Sequence, residues 1–304
     1  MKIIMYHYVR PKVNQLPYLK YLPLDVFSSQ LDYFSEHYGI ISRTDFFTAI
    51  DKGISPSGVV LTFDDGFSDH ADYVLPELER RGLWGIFYIP TGSYSEKTDK
   101  LLGVHRLHWL VGKYGADEIM KRTMPLIREE MLDTETIEAF DKEIYTYTDY
   151  DESDKQVRRL FNYYISYNWR DEILSELMRT SEIESEIAEK FYLSAAQLNK
   201  VISSGSIIGS HTKSHRVLSR LDEDGQRDEI GNSVRFIASL GQDAPHCFAY
   251  PYGYKTSYND TTLRILEQEG VHNAVVFDNA ELTTPFSRYE LSREDCNKFM
   301  VPIV

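Results

Sequence analysis

The stretch that decides the fold is Val59-Val60-Leu61-Thr62-Phe63-Asp64-Asp65-Gly66-Phe67. Its first five residues are mostly apolar and favour a buried β-strand, which leads directly into two adjacent acids and a glycine. This order places the two carboxylates at the carboxyl end of the strand, where α/β proteins assemble their functional sites. Asp-Asp-Gly also suits an ordinary turn, and on this segment alone the two interpretations are equally supported.

Further β-rich runs alternate with helical patterns along the chain, which predicts βα units and a largely parallel sheet. The other predicted strands cover residues 2–6, 85–89, 206–209, 247–250 and 274–277. The predicted helices cover residues 26–37, 72–81, 195–203, 222–240 and 261–269.

Residues 93–192 differ from the rest, because they show several amphipathic helical patterns and no strong strand signal. The patterns cover residues 107–114, 133–145 and 154–167. We therefore expect a single domain over residues 1–304, in which residues 93–192 form a helical insertion. The insertion is a candidate cap over the site or a candidate homo-oligomer interface, and its helices equally suit packing against the host domain alone.

The charge of the chain limits its partners. Its 304 residues include 33 basic and 47 acidic side chains, which gives a net charge of −14. A field of this sign disfavours nucleic acid and anionic membrane surfaces as general partners. The opening residues predict a strand and not a signal sequence, and no run of about 18 apolar residues is present to form a transmembrane helix. Together with the low cysteine content, these features predict a cytoplasmic protein.

A second run, Ile207-Ile208-Gly209-Ser210-His211-Thr212-Lys213-Ser214-His215, again leads a buried strand pattern into polar residues. If a helix begins there, two histidines four positions apart lie on one face, within reach of a single ion. Such a pair is more often a surface or core feature than a ligand set. Two strand ends that together supply one aspartate and two histidines, however, form a coherent set for a zinc-like metal with open positions for water and substrate.

A third run, Cys247-Phe248-Ala249-Tyr250-Pro251-Tyr252-Gly253, leads a strand into a Pro-Tyr-Gly turn. Such a turn can place a backbone N–H and an aromatic ring over a pocket, although alone it indicates only a tight turn. The chain also holds 22 tyrosines, which suit general packing and, in part, stacking against the CH faces of sugars.

Taken together and in this order, the three runs resemble the motifs of the polysaccharide deacetylase family, carbohydrate esterase family 4. Thr62-Phe63-Asp64-Asp65-Gly66 matches the first motif, His211-Thr212-Lys213-Ser214-His215 the second, and Pro251-Tyr252-Gly253 the core of the third. The resemblance covers roughly residues 1–91 and 193–304. It implies a distorted (β/α) barrel of the polysaccharide deacetylase type and hydrolysis of an N-acetyl group from an amino sugar.

Carried over residue by residue, the resemblance assigns Asp65, His211 and His215 to a divalent metal, for which Zn²⁺ is the expected ion. Asp64 would be the general base. In that arrangement the metal polarises the acetyl carbonyl and its bound water, and Asp64 takes the proton of the water.

The third motif supplies the expected contacts to the substrate. The backbone N–H of Tyr252 is the expected second donor to the oxyanion, and Pro251 and Tyr252 are the expected substrate-binding residues.

The sequence departs from the family pattern in two places. Many members carry an arginine at the position of Ala249 that partners the base, so here a lysine or arginine from elsewhere would have to replace it. The late Leu-x-His motif, which supplies a general acid, is missing. The run Met5-Tyr6-His7-Tyr8-Val9-Arg10-Pro11 resembles the opening of a branch that contains biofilm poly-N-acetylglucosamine deacetylases, in which this motif is displaced to the start of the chain. His7 is therefore the candidate acid, and a structural histidine bonded to the backbone is the alternative.

Other polar residues carry weaker signals. His105 and His108 lie in the helical insertion, where packing is favoured over ligation, and His70 suits a helix cap. Arg288 and Arg293 flank the apparent last strand, and no motif assigns either of them to the site.

These features predict a metal-dependent amidohydrolase that acts on an acetamido sugar or glycan precursor in surface-polysaccharide biosynthesis. One alternative is hydrolysis of another small amide or ureide, such as allantoin. A second alternative is a non-catalytic glycan-binding relative, which Ala249 and the missing late motif favour. The retention of Asp64 argues against that second alternative, because binding alone needs no base.

Overall fold

The computed structural model describes residues 1–12, 15–95, 99–134, 137, 144–145, 150–179 and 183–299. Its strands are β1 (Lys2–Tyr6), β2 (Val9–Arg10), β3 (Leu22–Pro23), β4 (Val59–Asp64), β5 (Ile86–Ile89), β6 (Ile207–Ser210), β7 (Cys247–Ala249), β8 (Asn273–Val275) and β9 (Glu294–Asp295). The described α-helices are α1 (Leu24–His37), α2 (Arg43–Lys52), α3 (Leu75–Arg81), α4 (Gly92–Ser95), α5 (Gly103–Tyr114), α6 (Ala116–Thr123), α7 (Glu152–Arg159), α8 (Tyr167–Met178), α9 (Glu184–Phe191), α10 (Ala195–Ser203), α11 (Glu223–Ser239) and α12 (Asp260–Gln268). Most of the helix predicted over residues 133–145 lies outside the described residues.

Seven strands form one parallel sheet in the order β8-β7-β6-β5-β4-β1-β9. Its two ends are joined by a short segment near the end of the chain. Leu291 pairs with Val275 of β8, and Glu294 of β9 pairs with Ile4 of β1. Residues 291–295, which we call the closing segment, therefore curl the sheet into the distorted (β/α) barrel that the motifs predict.

Side chains along each strand alternate between the inside and the outside of the barrel. Inward-facing apolar residues form one core with Phe46 and Ile50 of α2, and they include Ile3, Val60, Ile86 and Ile207. Outward-facing residues such as Leu61 and Phe87 pack in a second core with residues of α1, α3 and α10. Because Thr62 and Asp64 follow Val60 at two-residue spacing, the alternation places Asp64 inside the barrel.

The helices between β5 and β6 have a core of their own, which includes residues of α5, α6, α7, α8 and α9. The interpretation of residues 93–192 as an insertion into one domain remains a prediction, as does a role in oligomer formation. Within the described ranges of the chain, the helices are all too short or too polar to span a membrane.

Candidate active site

The carboxyl ends of the parallel strands meet at one edge of the barrel, where a cavity of about 520 Å³ is found. The lining includes residues from the three motifs and from the start of the chain: His7, Asp64, Asp65, His211, His215 and Tyr252. Pro251, the other predicted substrate contact, is buried and is not among the lining residues. Eight tyrosines also line the cavity: Tyr8, Tyr18, Tyr21, Tyr145, Tyr150, Tyr250, Tyr252 and Tyr254. Their rings offer flat apolar faces of the kind that suit sugars.

The backbone is turned sharply at this edge. Asp65, Thr212, His215 and Tyr252 have φ values of 78°, 64°, 57° and 65°, a left-handed region that residues other than glycine rarely adopt. In a regular strand, the side chains of Asp64 and Asp65 would point to opposite faces. The left-handed conformation of Asp65 instead turns its carboxylate into the same cavity, and such local strain is typical of functional sites.

Asp64 is 1% exposed and is held by an arginine that no motif indicated. Nη1 of Arg293 donates to Oδ1 of Asp64 at 2.8 Å, while Nε of Arg293 donates to the carbonyl of Val276 at 3.2 Å. Burial tends to raise the pKa of Asp64, but Arg293, through its charge and its hydrogen bond, together with the neighbouring His211 and His7 outweighs that effect, and the pKa lies below the usual range. Arg293 thus supplies the cation that is absent at Ala249. Arg288 instead pairs with Asp51, at 3.6 Å.

Asp65 faces a group of histidines. Its Oδ1 lies 3.7 Å from Nε2 of His211 and 3.4 Å from Nε2 of His215, and it is buried without a hydrogen-bond partner. One ligand atom from each of these three residues can be chosen so that all lie within 4.8 Å of one another. Nδ1 of His211 lies 2.7 Å from the carbonyl oxygen of Ala249, which can only accept. The proton of His211 is therefore on Nδ1, and the lone pair of Nε2 faces Asp65.

The burial of His215 has an electrostatic consequence. Burial lowers the pKa of His215 to about 3, against the attraction of Asp65. The imidazole is therefore neutral near pH 7, as a metal ligand must be.

His105, for which the sequence favoured packing, lies beside this cluster. It is fully buried, its ring packs against Phe67 with centroids 5.2 Å apart, and its Nε2 lies 3.5 Å from Oδ1 of Asp65. Its Nδ1 lies 2.7 Å from the hydroxyl of Tyr192, which accepts from the backbone N–H of Leu102 at 3.0 Å. The Tyr192 hydroxyl oxygen accepts from the Leu102 N–H, so the hydroxyl proton of Tyr192 can be donated to Nδ1 of His105. In that arrangement the His105 proton would be on Nε2, 3.5 Å from Oδ1 of Asp65.

His7, the candidate acid, lies at the end of β1. Its Nε2 is 4.0 Å from Oδ2 of Asp65, and 40% of its side chain is exposed. The imidazole therefore faces the cavity, close to Asp65 and open to solvent.

His70 forms a hydrogen bond to the backbone of His7. It is fully buried, and its Nε2 donates to the backbone carbonyl of His7 at 2.9 Å. It opens a π-helical turn, His70–Val74, that leads into α3. The sequence suggested a helix cap for this residue, whereas its imidazole contacts the neighbouring strand end.

Replacing His70 with Gln should make stability less dependent on pH. Burial lowers the pKa of His70 from 6.5 to about 4. As the pH falls through this range, the unfolded state takes up a proton that the folded state does not, so folding becomes less favourable. A separation of this size between the pKa values of the unfolded and folded states corresponds to a loss of about 3 kcal/mol in the free energy of unfolding as the pH falls from 7 to 4. Gln can keep the hydrogen bond to His7 but does not titrate. Urea unfolding at pH 7, 6, 5 and 4.5 measures the effect, and parallel pH profiles for the two proteins would contradict it.

Comparison with known proteins agrees with this architecture. The family model described as polysaccharide deacetylase matches residues 173–274, which hold the second and third motifs. The Streptococcus pyogenes deacetylase PplD, solved in complex with acetate, is 17% identical, with a TM-score of 0.60 over 99% of this chain and 98% of that chain. IcaB from Ammonifex degensii is 15% identical, with a TM-score of 0.53 over 96% of this chain and 90% of that chain.

The BpsB deacetylase domain from Bordetella bronchiseptica is 13% identical, with a TM-score of 0.54 over 97% of this chain and 94% of that chain. No curated protein sequence is significantly similar to this chain. The barrel and its edge therefore define a protein with the polysaccharide deacetylase fold. The resemblance to the polysaccharide deacetylase family is confirmed by the family model over residues 173–274, which hold two of the three motifs.

Proposed function

We propose that the protein is a metal-dependent carbohydrate N-deacetylase, which hydrolyses the N-acetyl group of an amino sugar during surface-polysaccharide biosynthesis. The observation that carries the proposal is that two neighbouring carboxylates in one cavity have different partners. Asp64 is paired with Arg293, whereas Asp65 faces histidines. A protein that only bound glycans would need no separate, ionised proton acceptor beside a ligand cluster.

A divalent cation fits Asp65, His211 and His215. The unpartnered Oδ1 of Asp65 and the lone pair on Nε2 of His211 are directed toward the same small space. One carboxylate and two imidazoles suit Zn²⁺ and leave positions for water and substrate, so Zn²⁺ is the metal we propose. When bound, such an ion supplies Lewis acidity, which polarises an acetyl carbonyl and makes a water molecule more acidic.

Asp64 is the proposed general base. A base must be ionised and correctly oriented before the reaction begins. Arg293 meets both requirements, since it lowers the pKa of the carboxylate and holds one of its oxygens in place. The other carboxylate oxygen then accepts the proton of the attacking water.

His7 and Tyr252 are proposed for the later part of the reaction. The exposed imidazole of His7 can donate a proton to the amine as the C–N bond breaks, and solvent can restore that proton. The backbone N–H of Tyr252 is the proposed donor to the oxygen on which negative charge develops. The Tyr252 ring packs on His215, with centroids 5.0 Å apart, so the turn sits directly over the metal-binding residues.

Acetate release tests the proposal. The purified protein, loaded separately with Zn²⁺, Co²⁺ or Mn²⁺, is incubated with N-acetylglucosamine, its oligosaccharides and its 1-phosphate, and acetate and free amine are measured. Equal amounts of the two products are expected. Ring opening of allantoin or of another cyclic amide, measured as loss of the cyclic substrate without acetate release, would favour hydrolysis of a different amide. Tight sugar binding without turnover on any of the metals would favour a glycan-binding protein. The cytoplasmic location remains a prediction.

His105 is expected to strengthen metal binding by holding the Asp65 carboxylate. Groups that orient a metal ligand typically contribute 10- to 100-fold to affinity, so His105→Ala should weaken Zn²⁺ binding by about that factor. His105→Gln can place an amide N–H near Oδ1 of Asp65 and should lose less Zn²⁺ affinity than His105→Ala. Competition with a chromophoric chelator measures the affinity without reference to activity. An unchanged Kd would contradict the positioning role, and an altered Co²⁺ absorption spectrum would instead indicate that His105 is a direct ligand.

A further inference from the structure

One wall of the cavity carries a cationic group that the proposed chemistry does not use. The lining that contains Asp64 and His7 also includes Lys20, Tyr150 and Arg158. Arg158 lies on α7 within residues 93–192, and Lys20 precedes β3. Neither residue belongs to a motif shared with the deacetylase family.

Arg158 is buried without a strong partner. It is 8% exposed, its guanidinium lies 4.2 Å from the centroid of the Tyr150 ring, and its Nε has no hydrogen-bond partner among the residues that the structure describes. The nearest oxygen of Asp154 is 3.9 Å from Nε, which is beyond hydrogen-bond distance. By contrast, the buried Arg106 donates to Glu184 at 2.6 Å and Arg293 donates to Asp64 at 2.8 Å.

Asp154 lies near both cations of this wall. Its second carboxylate oxygen lies 3.6 Å from Nζ of Lys20, so one carboxylate is shared between two cations. Lys20 also lies over the Tyr150 ring, 4.6 Å from its centroid. Burial and the charge of Arg158 hold the pKa of the neighbouring His108 well below its usual range, so that imidazole adds no charge.

Burial of the Nε–H of Arg158 without an acceptor is costly. Leaving a charged group desolvated without hydrogen bonds disfavours the folded protein, unless a ligand supplies the missing acceptors. The planar fork of arginine matches the oxygens of a phosphate or a carboxylate and binds them through two N–H groups at once. Arg158 also borders the space where the sugar of the proposed substrate would lie.

We propose that Arg158, assisted by Lys20, binds an anionic oxygen group of the substrate, as in a sugar phosphate or a uronic acid. This inference rests on the proposed function and narrows it to acetamido sugars that carry a negative charge near the N-acetyl group. The tyrosines of the cavity contact the sugar ring, and Arg158 favours sugars that carry the anionic group over neutral sugars.

The test compares matched sugars and matched variants. N-acetylglucosamine 1-phosphate, the neutral methyl glycoside of N-acetylglucosamine and an N-acetylated amino uronic acid are assayed with the Zn²⁺-loaded protein. Arg158→Gln should reduce the ratio of kcat/KM for the phosphate sugar over the neutral sugar at least tenfold, and Arg158→Lys should reduce it less. Arg159→Gln, on the same helix and outside the cavity lining, should preserve the ratio. A larger effect on the uronic acid than on the phosphate sugar would identify the carboxylate as the anion.

Binding without turnover separates this inference from the proposed function. Calorimetric titration of Asp64→Asn with inorganic phosphate, and with the phosphate sugar, should show binding that Arg158→Gln removes and that weakens with added salt. If this holds while no sugar releases acetate, the anion site stands and the deacetylase proposal fails. An unchanged kcat/KM ratio, or phosphate binding unaffected by Arg158→Gln in a protein with an unaltered melting temperature, would overturn the anion site.

Discussion

Replacing Asp64 with Asn should lower kcat for acetate release by about 10³-fold, within the 10²- to 10⁴-fold range typical of general bases. The amide has the same shape as the carboxylate, and its oxygen can still accept the hydrogen bond from Arg293. It cannot accept a proton from water, however, so the loss should fall on the chemical step. Steady-state assays with the best substrate of the panel, together with Zn²⁺ affinity measured by chelator competition, give both quantities.

Asp65→Asn is the matched control for this experiment, since it makes the same chemical change one residue later. It should weaken Zn²⁺ binding strongly, because a charged ligand is lost, whereas Asp64→Asn should leave Zn²⁺ affinity within a few fold. If Asp64→Asn retained more than about a tenth of the activity, Asp64 would not be the base. If both variants lost the metal equally, the division of roles between the two carboxylates would be wrong.

Replacing Arg293 with Met should destabilise the protein by about 3–5 kcal/mol, the cost of leaving one member of a buried ion pair without its partner. Both side chains are almost fully buried, at 1% and 2% exposure, so water cannot take the place of the guanidinium. The acetate-releasing activity should also fall, because Asp64 loses the group that orients it. Urea unfolding gives the free energy of unfolding, and acetate release gives kcat.

The double variant Asp64→Asn with Arg293→Met separates electrostatics from packing. If the ion pair is the cause, Arg293→Met should cost clearly less stability in the Asp64→Asn background, where no carboxylate remains to be stranded. Equal costs in the two backgrounds would mean that Arg293 acts through its packing and through its hydrogen bond to the carbonyl of Val276.

The strands and the motif residues could be predicted from local sequence. The six predicted strands appear in the structure, one with the predicted ends and five with ends shifted by one or two residues, because a buried apolar run fixes the existence of a strand better than its limits. Asp64, His211 and His7 could be placed at one edge, because the carboxyl ends of parallel strands must meet there. Apolar alternation then determines which side chains face inward.

The partners of these residues could not be predicted in the same way. Arg293 lies 229 positions from Asp64 in the sequence, within the closing segment. The strand that follows it, Glu294–Asp295, has only two residues, both acidic, so the sequence did not mark it as a buried strand. The rule that a buried carboxylate requires a cation indicated that such a residue exists but not where it lies. His105 was equally hidden, because its helix reaches Asp65 through tertiary packing alone. Arg158 gave no sequence signal, since the unpartnered Nε of its guanidinium is visible only in three dimensions.

The closing segment has a practical consequence for anyone who shortens or cleaves this chain. A fragment that ends before Arg293 would keep all three motifs and the three proposed metal ligands, yet it would lack the cation that is paired with Asp64. Such a fragment would also leave β1 and β8 without the residues that join them. Under the proposed function, zinc content would therefore overestimate the amount of active protein in a partly proteolysed preparation, and an intact mass is the better criterion of quality.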